Sequence, residues 1–357
     1  MNSDNTASPI INIHFSRKVH AYHANSIGLT SFASNARHPQ IFELHLSSNK
    51  IVSFTGIENF INLTTLHINN NKLTNLAGIE KLKQLTNLNV SGNAIKDTKC
   101  IEKLQTLRIL NISNNALESL DNIKELINLK DLNIGDNNLI SLSGIETLIN
   151  LRILFAASNK LTSIIEVAKL INLEELNISR NNLTLMNGVE NLIRLKSLNI
   201  CHNNLISLSG IENLINLKYL FAACNKITSI REIRKLHYLI ECSVDNNCIK
   251  SIMPITHLNN LKHLIYDKNP VCHTDKLNFR KYLHPDQINI FNYWQYHFKC
   301  SILLKNLVCG HFIKNICDDM LNKHTERLQI ATFQLDRDCM DRLVWFLYGG
   351  SSCFTYS

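Results

Sequence analysis

Apolar residues recur along this chain with a period that belongs neither to a helix nor to a long strand. In "LTTLHINNNKL" from Leu63 and "LEELNISRNNL" from Leu173 they occupy the first, fourth, sixth and eleventh places, with an asparagine at the ninth. Leu66 and Ile68 alternate with polar neighbours, which predicts a short strand with one face turned inward. Past the asparagine the apolar places spread out, as in "TNLAGIEKLKQ" from Thr74, where Leu76, Ile79 and Leu82 supply further inward side chains on a return path. The unit closes after 22 residues and begins again.

The asparagines keep the count. Asn49, Asn71, Asn93, Asn115, Asn137, Asn159, Asn181, Asn203, Asn225, Asn247 and Asn269 are spaced 22 apart without a slip. A turn buries backbone N–H and C=O groups that must find partners, and an amide side chain offers both a donor and an acceptor. Asn159 is therefore expected inward, bonded to its own turn and the neighbouring one, whereas Asn177, at an outward fifth place, is expected to be exposed and expendable. One unit cannot bury its leucines alone, but stacked units can. Strands pairing at ~4.8 Å give the eleven repeats a ladder on the order of 50 Å long.

L-x-x-L-x-L-x-x-N-x-L is the leucine-rich-repeat signature. The expected fold is an α/β repeat, a curved leucine-rich-repeat solenoid with a parallel concave β-ladder and a C-terminal helical cap and tail. Residues 1–18 are expected as a disordered N-terminus, 19–40 as a degenerate capping repeat, 41–271 as the eleven repeats, 272–295 as the C-terminal cap and 296–357 as the helical tail. In the capping repeat Val19, Tyr22, Ala24, Ile27, Leu29 and Phe32 fall on inward places, with Ile27 where the asparagine would be. Residues 139–164 and 205–230 match at 21 of 26 positions, which points to duplication of a three-repeat block, with selection for the same face twice as the alternative.

The unit carries "GIE" in its second half (Gly56 to Glu58, Gly78 to Glu80, Gly144 to Glu146, Gly210 to Glu212) and the array closes with N-P-V and F-R-K-Y-L. In these features it is similar to the leucine-rich regulatory subunit of type 1 serine/threonine phosphatase, over residues 41 to about 295. The resemblance implies a non-catalytic scaffold whose concave face binds a type 1 phosphatase catalytic subunit through aromatic and acidic residues. From "LHPDQINIFNYW" at Leu283 the chain departs from that family's ending.

The third, fifth and seventh places point to the concave face, so each becomes a column along the ladder. The fifth reads His45, His67, Asn89, Asn111, Asn133, Phe155, Asn177, Asn199, Phe221, Ser243 and Ile265. Phe155 and Phe221 interrupt this polar column, joined at the third place by Ile109, Ile153 and Tyr219 and beside Ala157 and Ala223. Aromatic side chains exposed among small polar ones mark a protein-binding surface; the competing reading is that each Phe fills space left by Ala156 or Ala222. Asp131, Glu175 and Glu241 at the third place are further candidates, by residue type. His45 and His67 are neighbours for which no third ligand adjoins, so a metal is not expected.

Apolar residues make up 45% of the chain and charged residues 18%, enough for a large core. The net charge of +8 is spread along the sequence: +2 over residues 1–40, +4 over 41–271 and +2 over 272–357. Nucleic-acid binding needs gathered Lys and Arg, so no specific nucleic acid is expected. No stretch has the length and apolarity of a membrane span, and the eleven cysteines have no disulfide-framework spacing; a monomer in the cytoplasm or nucleus is expected. No P-loop, dinucleotide turn, H-E-x-x-H or G-x-S-x-G occurs, so neither an enzyme nor a cofactor is expected. The alternative keeps the repeats as target selectors and gives an activity to residues 296–357, as in a microbial effector delivered into a host cell. There His297, Cys300, Cys309, His311 and Cys317 have zinc-ligand chemistry, but lie among Phe298, Ile302, Leu307, Ile313, Ile316 and Met320 at roughly helical spacing.

Overall fold

The computed structural model describes residues 20–32 and 37–272. The expected N-terminal segment, and the cap and helical tail from residue 273 onward, lie outside the described residues. Within them each repeat contributes one strand of three residues. The first six are β1 (Ala21–His23), β2 (Glu43–His45), β3 (Thr65–His67), β4 (Asn87–Asn89), β5 (Ile109–Asn111) and β6 (Asp131–Asn133). The others are β7 (Ile153–Phe155), β8 (Glu175–Asn177), β9 (Ser197–Asn199), β10 (Tyr219–Phe221), β11 (Glu241–Ser243) and β12 (His263–Ile265). They form one 12-stranded sheet in sequence order, every pairing parallel. The register never slips: Ala21 faces Glu43, Leu66 faces Leu88, Leu154 faces Leu176. Each strand is the third, fourth and fifth place of its repeat, so the fourth points inward and its two neighbours out.

The inward side is a stack of aliphatic layers. Leu44, Leu66, Leu88, Leu154, Leu176, Leu198 and Leu220 are fully buried, as are Ile79 and Leu82 from the return path. Each contributes about 1.5–3 kcal/mol of transfer free energy, and each is covered by the equivalent residue of the next repeat. On that far side the chain makes short 3-10 turns, such as Ile57–Asn59, Ile79–Lys81 and Ile211–Asn213. The "GIE" triplet is the chemistry of this turn. Its glycine opens the turn with φ between 94 and 104° at Gly56, Gly78, Gly144 and Gly210, a left-handed region that side chains resist. A Cβ on Gly144 would lie 2.8 Å from the Leu120 carbonyl oxygen. The isoleucine is buried, and the glutamate carboxylate accepts the glycine N–H, at 2.7 Å from Glu80 to Gly78 and from Glu212 to Gly210.

The asparagine ladder forms as its spacing predicts. Asn159 Oδ1 accepts the Leu139 N–H at 3.0 Å, while its Nδ2 donates to the carbonyls of Ile134, Ala156 and Ala157 at 3.0, 3.3 and 3.3 Å. It thereby ties its own turn to the repeat before it. The residue just before each ladder asparagine is left-handed, with φ from 50° at Asn114 to 63° at Gly92, and includes Ser158, Arg180 and Cys224. Such a conformation costs an L-residue roughly 1–2 kcal/mol, which the asparagine's bonds offset.

At the N-terminal end β1 pairs with β2, and Ala24, Leu29 and Phe32 are buried. Ile27, however, does not point inward as its place in the repeat predicts: it is 56% exposed. A hydrocarbon at the ladder position would leave turn amides unpaired, so the chain turns it out. Asn49 Oδ1 of the next repeat accepts the Leu29 N–H at 3.0 Å, as every ladder asparagine does for the repeat before it, and also takes the Ile27 N–H at 3.1 Å.

Candidate functional site

The sheet's solvent face brings the candidate residues together as the repeat predicts, and changes what two of the columns mean. In the fifth column Phe155 is 3% exposed, which corrects its reading as an exposed aromatic. Strands lie ~4.8 Å apart, so side chains at equivalent places stack against one another. Asn133 and Asn177 flank the Phe155 ring on either side in register. Phe221 stands between Asn199 and Ser243, and is half-buried rather than covered.

The asparagines of this column bond the backbone, and Asn133, Asn177 and Asn199 are buried while Asn89 and Asn111 are half-buried. Asn177 is 6% exposed, and its Oδ1 accepts the Ser179 N–H at 3.1 Å and the Ser179 hydroxyl at 2.8 Å. Asn89, Asn111, Asn133 and Asn199 make the same bond to the N–H two residues on. This is an Asx turn that starts the chain's departure from the strand. The expectation of an expendable Asn177 is corrected accordingly.

The third column keeps its exposure and shows a pattern of its own. Ile109, Asp131, Ile153 and Glu175 stand side by side on β5 to β8, and after Ser197 come Tyr219 and Glu241 on β10 and β11. Apolar and acidic side chains thus alternate over β5 to β8 and again over β10 and β11, with Ser197 of β9 between. Ile109 is 39% exposed and the others are half-buried. Burial raises the Asp131 carboxyl above its ordinary pKa, opposed by the Arg152 and Lys130 charges. Glu241 stands in register between Tyr219 and His263, and partial burial pushes its carboxyl up to about 7.

At the N-terminal end a third histidine adjoins the two expected ones. His23 on β1 stacks on His45, ring centroids 4.3 Å apart, and His45 meets His67 edge-on at 4.7 Å. Burial, then the neighbouring imidazole, holds His45 and His67 below the ordinary value near 6.5. His23 was legible: it lies at the fifth place of the first repeat, 22 residues before His45. Among the described residues no group of three His, Cys, Asp or Glu has metal-binding geometry. Burial raises the Cys201 thiol to about 12 and pushes the Cys242 thiol up as well, which disfavours the thiolate at both. The Cys and His cluster of residues 297–317 lies outside the described residues.

The family described as leucine rich repeats, in two copies, matches residues 61–105 and 193–235. No curated protein matches the chain. Among solved structures, a leucine-rich-repeat protein of Leptospira interrogans is 31% identical, with a TM-score of 0.65, over 69% of this chain and 71% of that one. An internalin of Listeria monocytogenes is 22% identical with a TM-score of 0.64, over 75% of this chain and 86% of that one. A plant peptide hormone receptor, in complex with its peptide, is 19% identical with a TM-score of 0.54, over 65% of this chain and 44% of that one.

Proposed function

Because the chain belongs to the leucine-rich-repeat family, we propose that it is a non-catalytic scaffold that binds a protein partner on the solvent face of its sheet, between β5 and β11. The alternation of apolar and acidic side chains along the third column carries this reading. Apolar anchors separated by carboxylates suit a polypeptide that offers hydrophobic side chains flanked by Lys or Arg. The plant receptor of the same fold is named for a bound peptide, and only that class of occupant, a polypeptide, is taken over here. Phe221 contributes a partly open ring beside Tyr219, while Phe155 acts as a floor under the face.

A type 1 phosphatase catalytic subunit is the first partner to test, on the strength of the resemblance in the N-P-V closure and the repeat class. The "GIE" triplets add little to that choice, since the turn alone accounts for them. A reducing compartment, cytoplasm or nucleus, belongs to the same reading. The test replaces Ile109 and Tyr219 with residues already found in their column, Ile109→Asn and Tyr219→Ser, so that the fold is kept. Capture of the phosphatase subunit by the wild-type chain and its loss in the double variant is expected. Equal capture by both would remove the third column from the site; no capture by either would leave the scaffold and discard this partner.

A further inference from the structure

A second surface runs along the turns that feed the strands. Two places before each repeat's first leucine stand Ile127, Ile149, Ile171, Ile193 and Ile215, on consecutive repeats, each between 53 and 55% exposed. The backbone beneath three of them is tied to the next repeat: Asn150, Asn172 and Asn216 donate to the carbonyls of Ile127, Ile149 and Ile193 at 2.9, 2.8 and 2.8 Å. The run is bounded, because Lys83, Gln105 and His237 hold the same place in flanking repeats. Isolated exposed aliphatics are ordinary, but a contiguous row of them on a monomer marks an interaction surface.

Three residues further on, the same five repeats carry Lys130, Arg152, Glu174, Lys196 and Lys218. The four cations are exposed. Glu174 accepts from Arg152 Nε at 2.7 Å and from Lys196 Nζ at 2.6 Å, so one carboxylate is shared by the two central cations, while Lys130 and Lys218 keep positive charge at the two ends of the row. Four cations against one carboxylate leave +3 beside the isoleucines.

We propose that this stripe docks an amphipathic α-helix of a protein partner, with its apolar face on the isoleucines and carboxylates directed at Lys130 and Lys218. A helix advances about 5.4 Å per turn and the repeats about 4.8 Å, so one apolar residue per turn meets one isoleucine per repeat over the whole row. Other occupants fit less well. A second copy related by a twofold axis through the Ile171 repeat would set Lys130 against the partner copy's Lys218. The chain's own residues 272–357 hold ten basic and eight acidic side chains, with no acidic excess to offer. A lipid surface would meet a row one isoleucine wide, without the aromatic side chains that settle at membrane interfaces. This row adjoins the sheet face proposed above along Lys130 and Lys218, but the isoleucines are on the preceding turns, so Ile149→Asn/Ile171→Asn tests it apart from Ile109→Asn/Tyr219→Ser.

The probe is a synthetic helical peptide about five turns long, with leucine along one face and glutamate near both ends, titrated against the full chain by fluorescence anisotropy. Binding is expected, weakened about tenfold or more in Ile149→Asn/Ile171→Asn. In Lys130→Glu/Lys218→Glu it should be lost and be replaced by binding of the same peptide with lysine in place of glutamate. Unchanged thermal midpoints and unchanged effects of Ile109→Asn/Tyr219→Ser would confirm that the fold and the other face are untouched. No binding of the glutamate peptide, or equal binding of both peptides to the wild-type chain, would overturn the proposal. So would sedimentation of the chain with phosphatidylserine vesicles, or a dimer, abolished by Ile149→Asn/Ile171→Asn while the peptide fails to bind.

Discussion

Residues 139–164 and 205–230 share 21 of 26 positions, yet the two phenylalanines they carry do not have the same surface. Phe155 is 3% exposed, and Phe221, with the same F-A-A context, is half-buried. Their inward environments agree: Ala156 and Ala222 are both fully buried. What differs is the strand that follows, with Asn177 beside Phe155 and Ser243 beside Phe221. Ser243 is smaller and bends its hydroxyl toward Asp245 at 2.7 Å, so it leaves one side of the ring open. In a stacked ladder the exposure of a face residue is decided by side chains 22 residues away as much as by its own repeat. A duplicated sequence is therefore not a duplicated site.

The largest expected effect tests where the copies should be alike. Asn225 makes the same four bonds as Asn159: it accepts from the Leu205 N–H and donates to Ile200, Ala222 and Ala223. Asn159→Ala and Asn225→Ala each strand several buried backbone groups, at roughly 1–3 kcal/mol per group. Each should lower the thermal midpoint strongly and broaden unfolding by uncoupling neighbouring repeats. A clear inequality between the two would mean that the copies differ inside as well as outside.

Next in size is the contrast between the rings. Phe155→Ala removes a covered side chain and should cost about 3 kcal/mol, while Phe221→Ala, with part of its ring already in water, should cost distinctly less. Asn177→Ala should cost about 1–2 kcal/mol, because the Ser179 N–H loses its acceptor, and it should bring the two Phe→Ala penalties closer together by opening the side of Phe155. Urea denaturation of the five single and double variants measures all of these. Equal penalties in the parent background would remove the neighbour effect.

The core, the strand register and the asparagine ladder were legible because a 22-residue period with inward leucines has only one way to stack. The meaning of the outward columns was not. A polar residue at an outward strand place reads as solvated, and only the turn geometry shows that Asn89, Asn111, Asn133, Asn177 and Asn199 each bond the backbone two residues on. Charge misled in the same manner. Spread evenly along the sequence, Lys130, Arg152, Lys196 and Lys218 suggest no basic patch, but a repeat of fixed length collects them into one row. Ile27 erred in the opposite direction: the period placed it inward, and the hydrogen-bonding needs of the turn placed it in solvent.

The smallest expected effect separates the copies by pH. Glu241, on the strand after Phe221, is raised by burial from an ordinary 4.5 to about 7. Its neutral form is thus favoured by folding. The stability this gives is complete below about 4.5, where folded and unfolded chains both hold the proton, and is lost as pH rises through about 7, where the folded chain gives up the proton and must keep a charge in a partly buried place. The histidine column acts with the opposite sense. His45 and His67 are lowered from 6.5, so acid protonates them more readily in the unfolded chain, and stability at the N-terminal end falls as pH drops below that value. Hydrogen exchange resolved along the chain distinguishes the two, since the first should loosen β10 to β12 at alkaline pH and the second β1 to β3 at acid pH. Glu241→Gln should flatten the alkaline response around β11 and leave the acid response at β1 unchanged. A wild-type alkaline slope persisting in Glu241→Gln would show that another group carries it, and would separate Glu241 from the half-open surface around Phe221.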